Sequence, residues 1–557
     1  MKSASILVES LRAAGVKYVF GIPGAKIDSI FNELQDHPEI KLIVCRHEQN
    51  AGFLAAAVGR LSDTPGVCIA TSGPGASNLA TALATATTEG DPVVAVIGSV
   101  PRLLSIRHTH QSMRALDVLE PISKKAIAIQ VEDQVAEAVL DAFRTAFSYP
   151  KGAAVLSLPV DVAQGSSRIA PFEPAAFVPP LYGPAARSEI EKVSRLVEQA
   201  KLPVLLLGMR ATRPKVIAAV REFLKKHPIP LVETFQAAGA ASRELKYLFF
   251  GRIGLFRNQP GDKLLAKSDL VLAAGYDPTE YDAINWNPSG NLPVIHIDYH
   301  SCSWSPAYRP KIELLGSLVE NFSSLAVGIS KVQSPIDSAI CRELSKEFGA
   351  WSTVSAYPIS RGPVQPLRFI SLLQDLVPSD DTTVITDVGT VYIYIMRYFY
   401  VYQPLRLLSS NGQQTLGVGL PWAIAASLVQ EPPCSQKVIS LSGDGGFMFS
   451  SQELSTAVQQ GCNITHFIWN DGGYNMVEFQ EEMAYGRSSG VKLGGVDFVK
   501  FAEAFGAKGM RVSDATELEG VMKAALAYKG VVIVDVNIDY SKNQEFLAGH
   551  IIPADFR

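Results

Sequence analysis

Two aspartates sit in glycine-rich turns at the ends of one stretch, "GDGGFMFSSQELSTAVQQGCNITHFIWNDGG", which runs from Gly443 to Gly473. Asp444 follows an apolar run over residues 438–442, and Asp471 follows a second apolar run, "ITHFIWN". Between them "SSQELSTAVQQG" has helical spacing, with Leu454, Ala457 and Val458 on one face and Gly461 as a stop. A right-handed crossover between parallel strands sets their carboxyl ends side by side. Asp444 and Asp471 can therefore converge on one point. Gly445 and Gly446 leave room for an anion against the backbone, where a helix start offers free N–H groups. Two carboxylates joined by carbonyl and phosphate oxygens suit a hard cation such as Mg²⁺ or Ca²⁺. Zinc would ask for His or Cys ligands. An Asp-Gly turn followed by an unrelated loop would be written the same way.

A third acid stands far from these two. Glu48, in "CRHEQNAGFLAAAVGRL", follows the apolar strand "KLIVC" and opens an apolar helix carrying Phe53, Leu54, Ala57 and Val58. A carboxyl there risks burial, although a glutamate in a first helical turn is also what the macrodipole favours.

The elements that must position these groups alternate along the chain. Short apolar runs and longer helix-period stretches follow one another, which predicts α/β architecture with parallel sheets covered by helices. Strands are expected over residues 41–45, 67–71, 93–98, 204–208, 270–275, 294–298, 384–387, 438–442, 466–469 and 531–536. Two proline-rich stretches, residues 165–188 and 355–366, read as linkers. They divide the 557 residues into three doubly wound domains, placed at 1–165, 188–330 and 366–540. The first and third share a plan, with glycine turns closing their strands: "FGIPGAKID" and "TSGPGASN" in one, "DVGT", "SNGQQTLGVGLPWA" and "GDGG" in the other.

Composition excludes several classes. The chain is 47% hydrophobic and 19% charged with net charge −4, so no basic surface for nucleic acid is indicated. No apolar run reaches the roughly eighteen residues of a membrane span, and the N-terminus reads as an amphipathic helix rather than a signal peptide. Six scattered cysteines without a C-x-x-C pair fit a reducing, cytoplasmic setting.

"GDG" with a later "ND" resembles the diphosphate–metal motif of thiamine-diphosphate-dependent enzymes. The wider text is similar to their catabolic, FAD-independent acetolactate synthase family: "VFGIPGAKID", "RHEQNA", "ATSGPGASNL", "EGDPVVA", "THQSM", "ETFQAAGA", "FGRIGLFRNQPGD", "GYDPTEYD", "SNGQQTLGVGLPWA", "SGDGGF" and "GYNMV" occur in colinear order over nearly the whole chain. The resemblance implies an N-terminal pyrimidine-binding domain, a central domain and a C-terminal diphosphate-binding domain. It implies thiamine diphosphate and Mg²⁺ as cofactors, without FAD. The activity it implies is decarboxylation of pyruvate on the thiazolium C2, then ligation of the two-carbon fragment to a second pyruvate, giving 2-acetolactate and CO₂. Glu48 would hydrogen-bond the aminopyrimidine. Asp444, Asp471 and the Gly473 carbonyl would hold the metal, with Gly443, Gly445 and Gly446 at the phosphates and Leu416 beneath the bend of the cofactor. Gly24, Gly73, Thr390, Gln413, Tyr474, Asn475 and Met476 complete the expected cofactor contacts. Gln480 and Gln111 would face the acceptor pyruvate, with Met476 and Gln480 on one helix face. Lys26 and His110 match the family near the pocket, yet a solvated lysine and a structural histidine would look alike. Because Glu48 and Asp444 lie on different blocks, the resemblance implies a homodimer as the minimum unit, its site at the subunit interface, and pairing into homotetramers.

Some positions depart from the family pattern. A His expected after "DVG" is replaced within "TVYIY", leaving Thr390, Val391 and Tyr392. Arg114 stands where an acid is usual, Glu478 where a small residue is usual, and Leu119 where an aromatic would border the substrate pocket. Leu119 and the Tyr392 region leave room for a related 2-keto acid decarboxylase or carboligase with another acceptor. A catalytically dead paralogue is disfavoured by the retained Glu48, Asp444 and Asp471. A dinucleotide-dependent dehydrogenase lacks its spaced G-x-G-x-x-G.

Overall fold

The computed structural model describes residues 1–255, 259–333, 335–352, 361–377 and 380–543. Residues 256–258 of "FGRIGLFRNQPGD" and residues 355–360 of the second linker lie outside the described residues. Three six-stranded sheets follow one another along the chain, and every strand pair in them is parallel.

The first sheet contains β1 (Tyr18–Gly21), β2 (Lys41–Val44), β3 (Gly66–Ala70), β4 (Val93–Ser99), β5 (Lys125–Ala128) and β6 (Ala153–Pro159), in the order 2-1-3-4-6-5. The second contains β7 (Pro203–Leu207), β8 (Leu231–Thr234), β9 (Phe249–Ile253), β10 (Leu270–Ala274), β11 (Val294–Asp298) and β12 (Ile312–Leu315), in the order 12-11-10-7-8-9. The third contains β13 (Thr383–Thr386), β14 (Leu407–Leu408), β15 (Val438–Gly443), β16 (Ile464–Asn470), β17 (Lys508–Val512) and β18 (Val531–Asn537), in the order 14-13-15-16-18-17. The outer sheets thus repeat one strand order. The central sheet follows the order of dinucleotide-binding folds, with its reversal between β7 and β10. All ten strands expected from apolar runs are present. The first linker is irregular except for one helical turn, Pro174–Phe177.

Interior strands such as β3, β4 and β6 are apolar throughout because helices cover both faces. The Glu48–Leu61 helix is nearly all small or apolar, and it packs on the equally apolar Gly419–Leu428 helix of the third block. Gly59 permits the approach from the other side, since a Cβ there would lie 2.2 Å from the Pro92 carbonyl oxygen. One core cluster consequently runs from the first sheet into the third. Arg252 ties the central block to the third by donating to the carbonyls of Met396 and Phe399 at 2.9 and 2.8 Å. Among the described residues no helix is long and apolar enough to cross a membrane.

Candidate active site

The third sheet reverses direction between β13 and β15, where such sheets bind ligands at their carboxyl edge. A cavity of about 250 Å³ lies there. Gly389 and Thr390 line it from β13's end, Gly443, Gly445 and Gly446 from β15's end, and Asp471, Gly473 and Tyr474 from β16's end. Gly443 pairs in register with Trp469, so Asp444 and the Asn470–Asp471 turn emerge together. The Asn475–Tyr485 helix adds Asn475, Met476 and Gln480 to the same wall. Glu478 turns away, to Lys492 at 2.6 Å.

The two aspartates interact. Asp444 is 5% exposed, and burial raises its carboxyl above the usual range, while the amides of Gly445, Gly472 and Gly473 pull it back. Asp471 is pushed up to about 7, first by burial and then by the charge of Asp444. Asn475 is oriented to soften this: its Oδ1 accepts from Thr390 Oγ1 at 2.9 Å and Asn543 Nδ2 at 2.8 Å, and its side chain hydrogen-bonds Asp471. Two carboxylates that repel each other at this turn fit a divalent metal, which would relieve their repulsion. The phosphate side fits as well. A Cβ on Gly389 would meet nothing within 4 Å, and on Gly443 nothing closer than 4.0 Å, so the backbone borders open space.

Leu416 enters the cavity on a loop fixed by a buried acid. Asp387 ends β13 and accepts from the amides of Val388, Gly417 and Gly419 at 2.7 to 3.1 Å. Burial pushes its carboxyl up to about 6. Leu416 Cδ2 comes to 3.6 Å from where a Cβ on Gly446 would sit. Asp387 was not singled out from the sequence, although "DVGT" was. Gln413 lies outside this cavity and donates to Thr88 Oγ1 at 2.9 Å, whereas its neighbour Gln414 lines the wall. Tyr392 lines it too, with its hydroxyl on Asn411.

Glu48 belongs to a second cluster, at the reversal of the first sheet between β1 and β3. It is half-buried at the start of its helix, and Oε2 accepts from Asn78 Nδ2 at 3.0 Å. Gly24 packs on Thr71, Gly75 faces Glu48 Oε1, and Gly73 faces Gln111. The hydroxyls of Thr71 and Ser72 are buried without a partner here, which fits a ligand carrying polar atoms. Gln111 and Gly73 line a separate cavity of about 190 Å³. His110 is exposed, Lys26 half-buried, and Arg114 pairs with Asp117 on the surface. Leu119 corrects an expectation: it is fully buried in the core and lines neither cavity, because its short helix packs inward on the sheet.

Within one chain the clusters stay apart, since no first-block residue lines the third-block cavity. Both blocks carry exposed apolar side chains: Leu103, Ile106, Met113 and Val118 in the first, Met448, Phe449, Val477, Met483 and Tyr485 in the third.

Three family models match in order. The thiamine pyrophosphate enzyme N-terminal TPP binding domain covers residues 1–119, the central domain 190–325 and the C-terminal TPP binding domain 387–536. The chain belongs to the thiamine pyrophosphate enzymes, in their acetolactate synthase branch. It is 46% identical to the acetolactate synthase of Bacillus subtilis (strain 168), over 100% of this chain and 96% of that protein. It is 42% identical to the catabolic acetolactate synthase of Raoultella terrigena, over 97% and 95%. To the acetolactate synthase isozyme 1 large subunit of Escherichia coli (strain K12) it is 26% identical, over 96% and 94%.

Proposed function

We propose that this chain condenses two molecules of pyruvate to 2-acetolactate and CO₂ with bound thiamine diphosphate. The observation that carries the reading is that Asp471, which Asp444 acts on electrostatically, and Leu416 line one cavity at a sheet reversal, in a chain alike end to end to acetolactate synthases. Thiamine diphosphate supplies the electron sink on which a 2-keto acid can lose CO₂. Asp444, Asp471 and the Gly473 carbonyl would hold Mg²⁺, the glycine turns the diphosphate, and Leu416 the bend. Glu48 would hold a proton at the aminopyrimidine, in a pocket made with Gly24, Gly73 and Asn78. Gln480 and Gln111 would orient the acceptor pyruvate.

These roles need two copies. Glu48 lies in the first block, none of whose residues lines the cavity beside Asp471, so a homodimer would complete each site, with exposed apolar side chains of both blocks as its contact. Pairing into tetramers is part of the same reading.

FAD is not expected. At the crevice between β7 and β10 of the central sheet Arg210 is tied down, donating to Asp298 Oδ2 at 2.7 Å, to the Tyr276 carbonyl at 2.6 Å and to Asp277, and it lines a cavity of about 100 Å³. Identity of 46% and 42%, against 26% to a large subunit, also favours the catabolic group. A cytoplasmic setting fits the six unpaired cysteines. With Leu119 in the core, the case for another acceptor rests on the region of Tyr392, which lines the cavity.

Incubation with pyruvate, Mg²⁺ and thiamine diphosphate, then acidification, should yield acetoin from decarboxylated acetolactate. Pyruvate consumption without acetoin would transfer the assignment to a related decarboxylase or ligase.

A further inference from the structure

We propose that Glu453, in the third block, is a positioning residue for Glu48, and that it links the two cofactor sites one chain serves. The inference rests on the dimeric reading above only for its second half. Glu453 is 0% exposed and lies nine residues beyond Asp444. Its Oε1 accepts from the backbone N–H of Arg46 at 2.7 Å, from that of His47 at 3.1 Å and from Asn50 Nδ2 at 3.2 Å. Its Oε2 accepts from Thr456 Oγ1 at 2.6 Å. No cation pairs with it within salt-bridge distance among the described residues. The three donors on Oε1 flank Glu48 in sequence, two before it and one after.

The neighbouring contacts reinforce the same grip. The Arg46 guanidinium donates to Ser455 Oγ at 2.8 Å and to Gln459 Oε1 at 2.8 Å. The turn that presents Glu48 is therefore docked as a unit onto the segment that follows the Asp444–Met448 helix. Burying a carboxylate without a counter-charge is costly unless donors surround it. Here the donors are those whose position fixes the direction in which Glu48 leaves its helix. His47 caps that helix by itself, through Nδ1 accepting from the Gln49 amide at 3.2 Å, so Glu453 is not needed for capping. Glu453 sets the orientation of the entering turn. In the dimer this chain's Glu48 faces one cofactor and its Asp444 holds the other, and Glu453 lies on the path between them.

Glu453→Asp withdraws the carboxylate by one methylene, and Glu453→Gln keeps an acceptor oxygen at full length. The expected result is a loss in kcat of about 10-fold to 100-fold for Glu453→Asp, with KM for pyruvate and thiamine diphosphate affinity, read by tryptophan fluorescence, within about 2-fold. Glu453→Gln should recover most of kcat. On a Glu48→Gln background, Glu453→Asp should cost little more, because both act through one group. Hydrogen exchange of the cofactor-free protein should quicken over residues 46–50 in Glu453→Asp and stay slow in Glu453→Gln. Wild-type kcat in Glu453→Asp, unchanged exchange over residues 46–50, or independent losses in the double variant would each overturn the proposal. The exchange readout needs no substrate, so it decides the question even if wild-type protein makes no acetolactate.

Discussion

The outer sheets share a strand order but use their reversals in opposite ways. In the first, glycines serve contact: a Cβ on Gly21 would sit 2.4 Å from the Ile69 carbonyl oxygen, and on Gly24 2.6 Å from Thr71 Cβ. The result is a tightly packed edge presenting one carboxylate, Glu48. In the third, Gly389 and Gly443 border space, and Asp471 lies beside it under the charge of Asp444. The same scaffold therefore makes a packed edge on one side and a receptacle on the other. The central sheet is a third case, because at its reversal the chain's own cation, Arg210, bridges Asp277 and Asp298. Strand order locates the crevice; the side chains there decide whether it carries an acid, borders open space or holds a cation.

The comparison breaks most sharply at Glu48. Glu48→Gln should lower kcat by about 10²-fold to 10⁴-fold, the usual range for a lost acid–base group, with the cofactor still bound. An unchanged kcat would leave the first sheet without a chemical role. Next in size is Arg210→Ala, which leaves Asp298 buried without its partner. It should cost about 3–5 kcal/mol in unfolding free energy, read by urea denaturation. If stability holds and the variant binds flavin, the central crevice is a latent site and Arg210 merely its plug.

How much of this was legible depended on the range of the interactions. Interior strands such as β7 and β10 announce themselves as unbroken apolar runs. The edge strand β5 does not, because Lys125 and its neighbours are half-exposed and only pairing with β6 makes them a strand. Asp444 and Asp471 were legible because glycines flank them locally. Asp387 was not, because its partners, Gly417 and Gly419, are 30 and 32 residues away. Glu453 was further out of reach, with its first donor 407 residues distant. Leu119 was misread because a position matched to a family gives no direction for a side chain, and here the short helix turns it inward.

The paired aspartates give a smaller, pH-dependent effect. In the unfolded chain an aspartate titrates near about 4, whereas Asp471 in the folded, metal-free protein is pushed up to about 7. The folded form holds this proton more tightly, so its contribution to stability is full below about pH 4 and is lost as pH rises through 7. Asp471→Asn cannot ionise and should escape that loss. In EDTA at pH 8 it should exceed wild type by about 1–2 kcal/mol, a figure reduced for partial exposure. Saturating Mg²⁺ should reverse the ranking, since the ion binds the ionised pair. Equal denaturation midpoints in EDTA would remove the repulsion that argues for a metal.

A last pair of variants, one of them with the smallest stability effect of all, tests the two kinds of glycine directly. Gly24→Ala puts a methyl against Thr71 Cβ, a branch point that cannot swing aside, and should cost about 1–3 kcal/mol of stability. Gly443→Ala is in a backbone conformation open to any residue, φ −73°, with nothing closer than 4.0 Å. It should melt within about 0.5 kcal/mol of wild type and instead weaken thiamine diphosphate binding, because its methyl occupies space the diphosphate would take. Paired melting curves and fluorescence titrations separate the outcomes. If Gly443→Ala lost stability but kept its cofactor affinity, the third sheet's glycines would be packing residues like those of the first, and the contrast between the two crevices would disappear.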